Sequence, residues 1–343
     1  MEKRVFGKSG VEASVIGFGV WTVATSWWHA SNERLKDPAY GKALLQKALD
    51  AGIILFDTAD TYGNGYGESI LKEALGHRRK EICISTKFGY EWKNTPVGER
   101  KGQVEQPQNF DPDFVRRALE ESLERLGTDH IDLWMLHNAK MSHIERDDTF
   151  ALLERFKQEG KIRAYGVALG PAIGWEAEGV KAMQTRKLDC LMIIYNLLEQ
   201  NPGRRFIEVA GQSGCGLMAR VPHSSGMLEG RYTKDTKFAA DDHRAHRKRV
   251  WLEQGLQKVE QLKFLTEGKG RTLAQAALQY ILAHPELTAA LPNIYNEEQL
   301  AEFAAAPSTP PLSAEELAKV DALFDNNFGL PLDSSPEKVP VAR

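Results

Sequence analysis

Three observations predict an α/β fold closing as a (β/α)8 barrel. Eight short apolar runs of strand length recur along the 343 residues, nearly all separated by helical periodicity. The run at 53–56 is apolar at every position, which suits a strand covered on both faces, and it is too short for a membrane span. No Gly-x-Gly-x-x-Gly follows the first strand, which counts against an open dinucleotide-binding sheet.

Taken in order, residues 4–6 and 11–16 read as an N-terminal β-hairpin around Lys8-Ser9-Gly10, whose glycine suits a turn with positive φ. A first core strand over 15–19 ends at Trp21. Residues 22–40, polar and aromatic, contain Trp27-Trp28-His29 and read as a structureless binding loop or lid. Helix is expected over 41–51, strand over 53–56 and helix over 68–74. The strand over 82–85 ends at Lys87, and a long insertion fills 89–110. In the helix over 111–126, Asp111 is expected to cap and Pro112 to occupy the first turn. The strand over 131–136 ends at His137. Helix 149–159, strand 162–167, helix 176–184, strand 191–195, helix 204–210 and strand 216–220 follow. A long loop then runs through Pro222, Gly226 and Gly230. Helices over 251–265 and 273–283, a last strand over 288–291, and helices over 297–305 and 314–324 complete the pattern. The tail after Phe328 carries Pro331, Pro336 and Pro340 and reads as a draping terminus.

An apolar content of 42% with 27% charged residues is that of a soluble globular protein. A formal charge of −3 and a pI near 6.3 do not invite nucleic acid or an anionic membrane. The basic cluster from His243 to Arg249 reads as the solvated start of a helix. Cys83, Cys190 and Cys215 are far apart and lack metal-ligand spacing; Cys83 and Cys190 read as small core residues. No apolar signal segment opens the sequence, so a cytoplasmic location is expected.

The chemistry-bearing residues fall at strand ends. Strands two, three and four end in Asp57 (with Tyr62 on the following turn), Lys87 and His137, and in a barrel these ends converge at one mouth. An ammonium beside a phenol favours the phenolate, and a carboxylate beside the lysine keeps it charged. A histidine there can orient a carbonyl oxygen toward the phenol. Together they form a general acid able to protonate oxygen while hydride arrives at carbon. Each residue also has a plainer possible role: Asp57 as a cap, Lys87 as its ion-pair partner, His137 bonded to a loop carbonyl.

Several longer stretches carry a resemblance: 4–19, 56–63 with Asp57-Thr58-Ala59-Asp60-Thr61-Tyr62-Gly63, Ser85-Thr86-Lys87, 132–137, 162–167, Ala219-Arg220-Val221-Pro222 and 226–230. On these residues the chain resembles an aldo-keto reductase over nearly its full length. The resemblance implies a TIM barrel with long loops at its C-terminal mouth and a hairpin closing the bottom. It implies a single domain over 1–343, with 1–16 as the hairpin and 308–343 as a C-terminal helix and tail. Tyr62 would be the proton donor, tuned by Lys87 and Asp57, with His137 orienting the carbonyl. A nicotinamide cofactor would lie extended across the mouth, with no metal. The positions implied for it are Gly19, Trp21, Asn138, Ala168, Leu169, Met192, Tyr195, Arg220, Pro222, Ser225, Gly226, Asn293, Asn296 and Gln299. Loops 21–40 and 89–110 would wall the substrate site, making Trp21, Trp27, Trp28, His29 and Trp92 candidate contacts, since aromatic faces suit sugars and rings.

The departures from the family pattern are informative. Ala168-Leu169 stand where the family usually has Ser-Asn, and Met192 where it has Gln; those polar groups hold the nicotinamide carboxamide. A buried amide without partners costs a few kcal/mol, so backbone, water or a neighbour such as Asn196 is expected to substitute. Residues 291–299 contain no Lys or Arg to pair with the 2′-phosphate of NADP, while Glu297 and Glu298 are present. Arg231, Lys234, Arg244, Arg247 and Lys248 are the basic residues that could replace them. NADP(H) is therefore expected over NAD(H), with weak discrimination. The expected activity is reduction of an aldehyde, ketone or sugar carbonyl. The expected partner is that small-molecule substrate, with neither nucleic acid nor membrane. Two alternatives come from the altered carboxamide pocket: a redox-silent binding or regulatory subunit, and acid–base elimination or epimerisation with a retained cofactor.

Overall fold

The bottom of the molecule is built by its first residues. β1 (Lys3–Val5) and β2 (Glu12–Ser14) pair antiparallel with Val5 opposite Glu12. Their turn is fixed by Ser9, whose hydroxyl donates to the Phe6 carbonyl at 2.7 Å and accepts from Val11 N at 3.0 Å. Phe6, Val11 and Ala13 are fully buried in one cluster with the inward side chains of the barrel strands, so the hairpin plugs the barrel floor. Arg4 adds bonds to the carbonyls of Leu282, His284 and Leu287. The computed structural model describes residues 1–25, 33–94, 105–170, 175–240, 242, 244–245 and 247–331.

Above the plug, eight parallel strands follow one another in sequence order: β3 (Phe18–Gly19), β4 (Leu55–Asp57), β5 (Cys83–Phe88), β6 (Ile131–His137), β7 (Ile162–Ala168), β8 (Cys190–Ile194), β9 (Gly216–Arg220) and β10 (Leu287–Leu291). The first strand is shorter than the 15–19 predicted, yet residues 15–17 still close the ring. Gly17 N donates to the Ala290 carbonyl at 2.9 Å, and Ala290 N donates to the Val15 carbonyl at 2.9 Å.

Twelve helices cover the outside among the described residues: α1 (Trp21–Ala24), α2 (Pro38–Asp50), α3 (Tyr66–Leu75), α4 (Pro112–Leu126), α5 (Met141–Ile144), α6 (Asp147–Gln158), α7 (Glu176–Thr185), α8 (Gly203–Ser213), α9 (Arg249–Glu260), α10 (Leu273–Leu282), α11 (Glu297–Ala304) and α12 (Ala314–Asp325). Their apolar faces meet the outward strand positions, such as Trp134, Tyr165, Leu191 and Ile193, in one continuous core. None of the described helices is long and apolar enough to cross a membrane.

Four local expectations change. The 22–40 segment is not structureless, since α1 and a 3-10 turn (Glu33–Lys36) lie within it and α2 starts earlier, at Pro38 behind an Asp37 cap. Asp111 precedes α4 without a side-chain cap; its carboxylate pairs with Arg146 at 2.6 Å instead. The helix expected over 251–265 ends at Glu260 and resumes as a 3-10 turn (Lys263–Leu265). The basic cluster is only partly a solvated helix start. Arg249 begins α9 exposed, but Arg244 folds back on Asp242 at 2.6 Å and Tyr232 at 2.7 Å. The tail from 332 onward lies outside the described residues.

Candidate active site

Side chains on a strand alternate between faces, and the barrel interior fixes which face is which. Leu55, Cys83, Leu133, Met135, Ala168, Met192 and Met218 all pack inside the barrel. Counting up by twos places Asp57, Lys87, His137, Ile194 and Arg220 inward at the upper rim. The polar layer at the mouth therefore follows directly from strand parity.

Asp57 and Lys87 form a buried ion pair at 2.6 Å. The ammonium also donates to the Thr58 carbonyl at 2.7 Å, and Ser85 Oγ donates to the second Asp57 oxygen at 2.8 Å. Burial pulls the Lys87 pKa down, but Asp57 and Tyr62 outweigh it and the net shift is upward, so Lys87 stays charged. Its Nζ stands 5.1 Å from the centre of the Tyr62 ring. The turn carrying Tyr62 is tied to β5: Thr58 N donates to the Ser85 carbonyl and Asp60 N to the Lys87 carbonyl. Gly63 has φ 60°, and a Cβ there would meet the Ala24 carbonyl at 2.5 Å, so only glycine lets this turn pack on α1.

His137 faces Tyr62 edge-on, with ring centres 5.9 Å apart. Burial first, then Lys87 and Arg220, hold its pKa well below the ordinary histidine value, so the ring is neutral at neutral pH. Its Nδ1 is buried without a partner. Two residues not singled out in the sequence frame it. Tyr90 packs edge-on at 5.0 Å and accepts from Asn138 Nδ2 at 2.8 Å, while Gln108 donates to the carbonyls of His137 and Asn138 at 2.8 and 3.1 Å. Both lie in the 89–110 insertion, where Tyr90 bridges back to Gln108. No local spacing in the sequence signals such a fold-back.

Behind Tyr62 lies a second polar layer. Glu68 accepts from Thr86 and Arg125, both at 2.7 Å, and Asp60 takes a bond from Trp92. Burial, then Glu68, raise the Asp60 pKa well above the ordinary carboxylate value. Trp92 thus braces the Tyr62 turn. Trp27, Trp28 and His29 lie outside the described residues.

The expected cofactor positions divide into two sets. Gly19, Asn138, Ala168, Met192 and Arg220 gather on the rim, and Trp21 starts α1 beside it. Leu169 N donates to the Met192 carbonyl just above. Tyr195 does not join them. By parity it points outward, where its hydroxyl meets Tyr280 at 2.8 Å and His284 at 3.0 Å between α8 and α10. Asn196 cannot replace the missing carboxamide partners, because its amide is committed to Glu199, the Val221 carbonyl and Leu198 N.

At the far end, Pro222, Ser225 and Gly226 lie on the loop after β9, and Gly226 adopts φ 92°. Asn293 is half-buried just beyond β10. Asn296 caps α11 by accepting from Gln299 N at 2.9 Å, and Gln299 bonds Glu229 at 2.8 Å. Glu297 is not a bare negative charge there. It accepts from Tyr40 at 2.6 Å and Lys47 at 3.1 Å, contacts that lower its pKa to about 2. Arg231 is shared among Glu229, Glu298 and Glu302 at 3.7–3.9 Å. Arg247 reaches Ser225 Oγ at 3.2 Å and keeps a buried Nε without a partner.

A nicotinamide dinucleotide fits these residues. Asn138 Oδ1, an acceptor, and the Nε atoms of Arg220 and Arg247, donors, are buried and unpartnered around the mouth. Unmet polar atoms of this kind are rare in finished interiors, and a polar ligand lying across the mouth would satisfy them. Among the described residues no cluster of His, Cys, Asp or Glu could hold a metal ion.

The structure thus brings Tyr62, the Asp57–Lys87 pair and His137 together at the mouth of a parallel barrel. Residues 15–325 match the model of the aldo/keto reductase family, and the chain belongs to that family. It is 29% identical to a probable voltage-gated potassium channel subunit beta of Arabidopsis thaliana, covering 91% of this chain and 93% of the relative. It is 27% identical to an NADH-specific methylglyoxal reductase of Escherichia coli K12, covering 89% and 93%. Among solved structures it is similar to a glycerol dehydrogenase from Gluconobacter oxydans, with 25% identity, a TM-score of 0.79 and coverage of 97% and 98%. The chain is accordingly an NAD(P)H-dependent oxidoreductase of carbonyl compounds.

Proposed function

We propose that Tyr62 protonates the carbonyl oxygen of a small aldehyde, ketone or sugar in a two-electron reduction to the alcohol. The observation that carries this reading is the buried Asp57–Lys87 pair at 2.6 Å, fixed on strand ends beside the Tyr62 ring. A nicotinamide dinucleotide held at the rim would supply the hydride for the carbonyl carbon. As the oxygen gains negative charge, the Tyr62 proton moves to it, and the phenolate left behind is stabilised by the Lys87 ammonium until solvent reprotonates it. Asp57 keeps Lys87 charged and, held by Ser85, keeps it aimed. Neutral His137 donates to the same carbonyl oxygen and orients it toward Tyr62. The whole chain works as one barrel domain.

The rim residues Gly19, Asn138, Ala168, Leu169, Met192 and Arg220 would hold the nicotinamide end, and Ser225, Gly226, Asn293, Asn296 and Gln299 the adenosine end. NADP(H) is favoured over NAD(H). Support comes from Arg247, whose unmet Nε can meet a ribose phosphate, and from Glu297, whose charge is already balanced. Arg231, tied to three carboxylates, contributes little, so discrimination stays within about a hundred-fold, the worth of one or two charged hydrogen bonds. One similar chain, from E. coli, is named as NADH-specific.

A second reading, a binding or regulatory subunit, is motivated by the similarity to proteins named as potassium channel subunits. A screen of small aldehydes, ketones and sugars against NADPH and NADH, followed by loss of the reduced cofactor, separates the two. Turnover of at least one carbonyl supports the reductase. Tight dinucleotide binding with no turnover of any carbonyl favours the subunit.

A further inference from the structure

The mouth is lopsided in charge. On the β4–β6 side the chain's own groups fill the rim, where Asp57, Lys87 and Ser85 bond one another while His137 Nδ1 and Asn138 Oδ1 stay open. On the β7–β9 side the inward positions are Ala168, Met192 and Ile194, all apolar, and then Arg220. Arg220 Nη2 donates to the carbonyls of Leu169 at 3.2 Å and Gly170 at 2.6 Å. Its Nε is buried and unpartnered, and no carboxylate pairs with it among the described residues. Tyr62, Asp57, Tyr90, Lys87 and His137 all lie within electrostatic reach of it. A half-buried guanidinium with no carboxylate bonded to it is costly to maintain, and no step assigned to the proton-donating side uses it.

Hydride and proton must reach the two ends of one C=O bond. The hydride-donating ring therefore stands about 3–3.5 Å from the carbon whose oxygen Tyr62 protonates. With the β4–β6 side occupied, the space left for that ring is over the apolar inward positions of β7–β9, Ala168, Met192 and Ile194, beside Arg220. We infer that Arg220 faces the nicotinamide ring and sets the preference between its oxidation states. The reduced ring is neutral and its π-face accepts a guanidinium. The oxidised ring carries a positive charge and is repelled by the same group. Two like charges at contact range in a partly dry site weaken binding by about ten- to a hundred-fold. Arg220 thus loosens the oxidised cofactor and hastens its release after carbonyl reduction, while making hydride transfer between the bound complexes less favourable. This inference rests on the reductase reading and deepens it.

The test is direct titration of the protein with NADPH and NADP+, and likewise NADH and NAD+, by quenching of tryptophan fluorescence. The wild type is expected to bind the oxidised form at least about tenfold more weakly than the reduced form. Arg220→Met should bring the two within about threefold, chiefly by tightening the oxidised form, and Arg220→Lys should keep the gap because it keeps the charge. Should Arg220→Met fold poorly, Arg220→Gln retains a donor for the Leu169 and Gly170 carbonyls without the charge and is expected to behave as Met does. Equal affinities in the wild type, or an unchanged ratio in the neutral variants, would overturn the inference while leaving the reductase intact. Failure of all four dinucleotides to bind the wild type would overturn the functional reading itself, and the inference with it.

Discussion

The two halves of the barrel mouth are built on opposite plans. Over β4–β6, Asp57, Lys87 and Ser85 bond one another before any ligand arrives. Over β7–β9 and the following loop, Arg220 and Arg247 keep buried atoms without partners. In the first half the Asp57–Lys87–Ser85 set holds its own geometry, the kind of preorganisation that acid catalysis requires, while His137 Nδ1 and Asn138 Oδ1 face the mouth without partners. The second half is completed by what it binds. Damage to the first half should therefore appear in turnover and stability, and damage to the second in affinity.

The largest effect is expected from Lys87→Met. Removing the ammonium leaves the Asp57 carboxylate buried and unpaired, which destabilises by about 3–5 kcal/mol, and deprives Tyr62 of its cation, slowing turnover by about 10²–10⁴. Urea unfolding and steady-state kinetics read the two losses separately. Normal turnover would break the division between the halves. Arg247→Ala is the opposite case. It should weaken NADPH binding by about tenfold, leave NADH binding unchanged and spare the rate of bound complexes, as paired titrations would show. An equal loss for both dinucleotides would move the phosphate elsewhere.

Acid sensitivity sharpens the contrast further. His137 and His223 are both held below the ordinary histidine pKa, His223 at about 4, by burial first in each case. The unfolded chain binds protons near pH 6.5 that the folded chain refuses, so stability falls as pH drops from about 6.5 toward the folded values. The slope is about 1.4 kcal/mol per pH unit for each histidine at its steepest. Unfolding free energies measured from neutral pH down to about 5 should flatten in His137→Gln and in His223→Gln. A slope identical to wild type would show that these rings are not refused protons by the fold. The smallest effect is Ser85→Ala, which removes one bond to Asp57 and should cost about 1.5–3 kcal/mol at most with only a modest loss of turnover. A loss of turnover as deep as that of Lys87→Met would make Ser85 more than a brace.

The barrel and its polar rim were legible because both are local signals. An apolar run that gives way to an ionisable residue marks a strand end, and Asp57, Lys87 and His137 each close one. Tyr195 was misplaced for a reason the sequence itself contains: Met192 and Ile194 face inward, so the residue after Ile194 must face out. Asn196 failed as a carboxamide partner because its turn contacts, Glu199 and the Val221 carbonyl, depend on how two loops meet. Tyr90 and Gln108 went unnoticed because an insertion returning to the mouth leaves no periodic trace. The balance of charge around Glu297 was equally hidden, since Tyr40 and Lys47 come from a helix some 250 residues earlier in the chain.

The central claim is that Tyr62 acts on the proton and not on the dinucleotide. Its direct measurement is Tyr62→Phe, with single-turnover oxidation of bound reduced cofactor by a carbonyl substrate and equilibrium titration of the same cofactor. Reduction should slow by about 10²–10⁴ while the dissociation constant stays within about threefold of wild type. Near-normal reduction, or a collapse of cofactor binding that accounts for the lost rate, would contradict it.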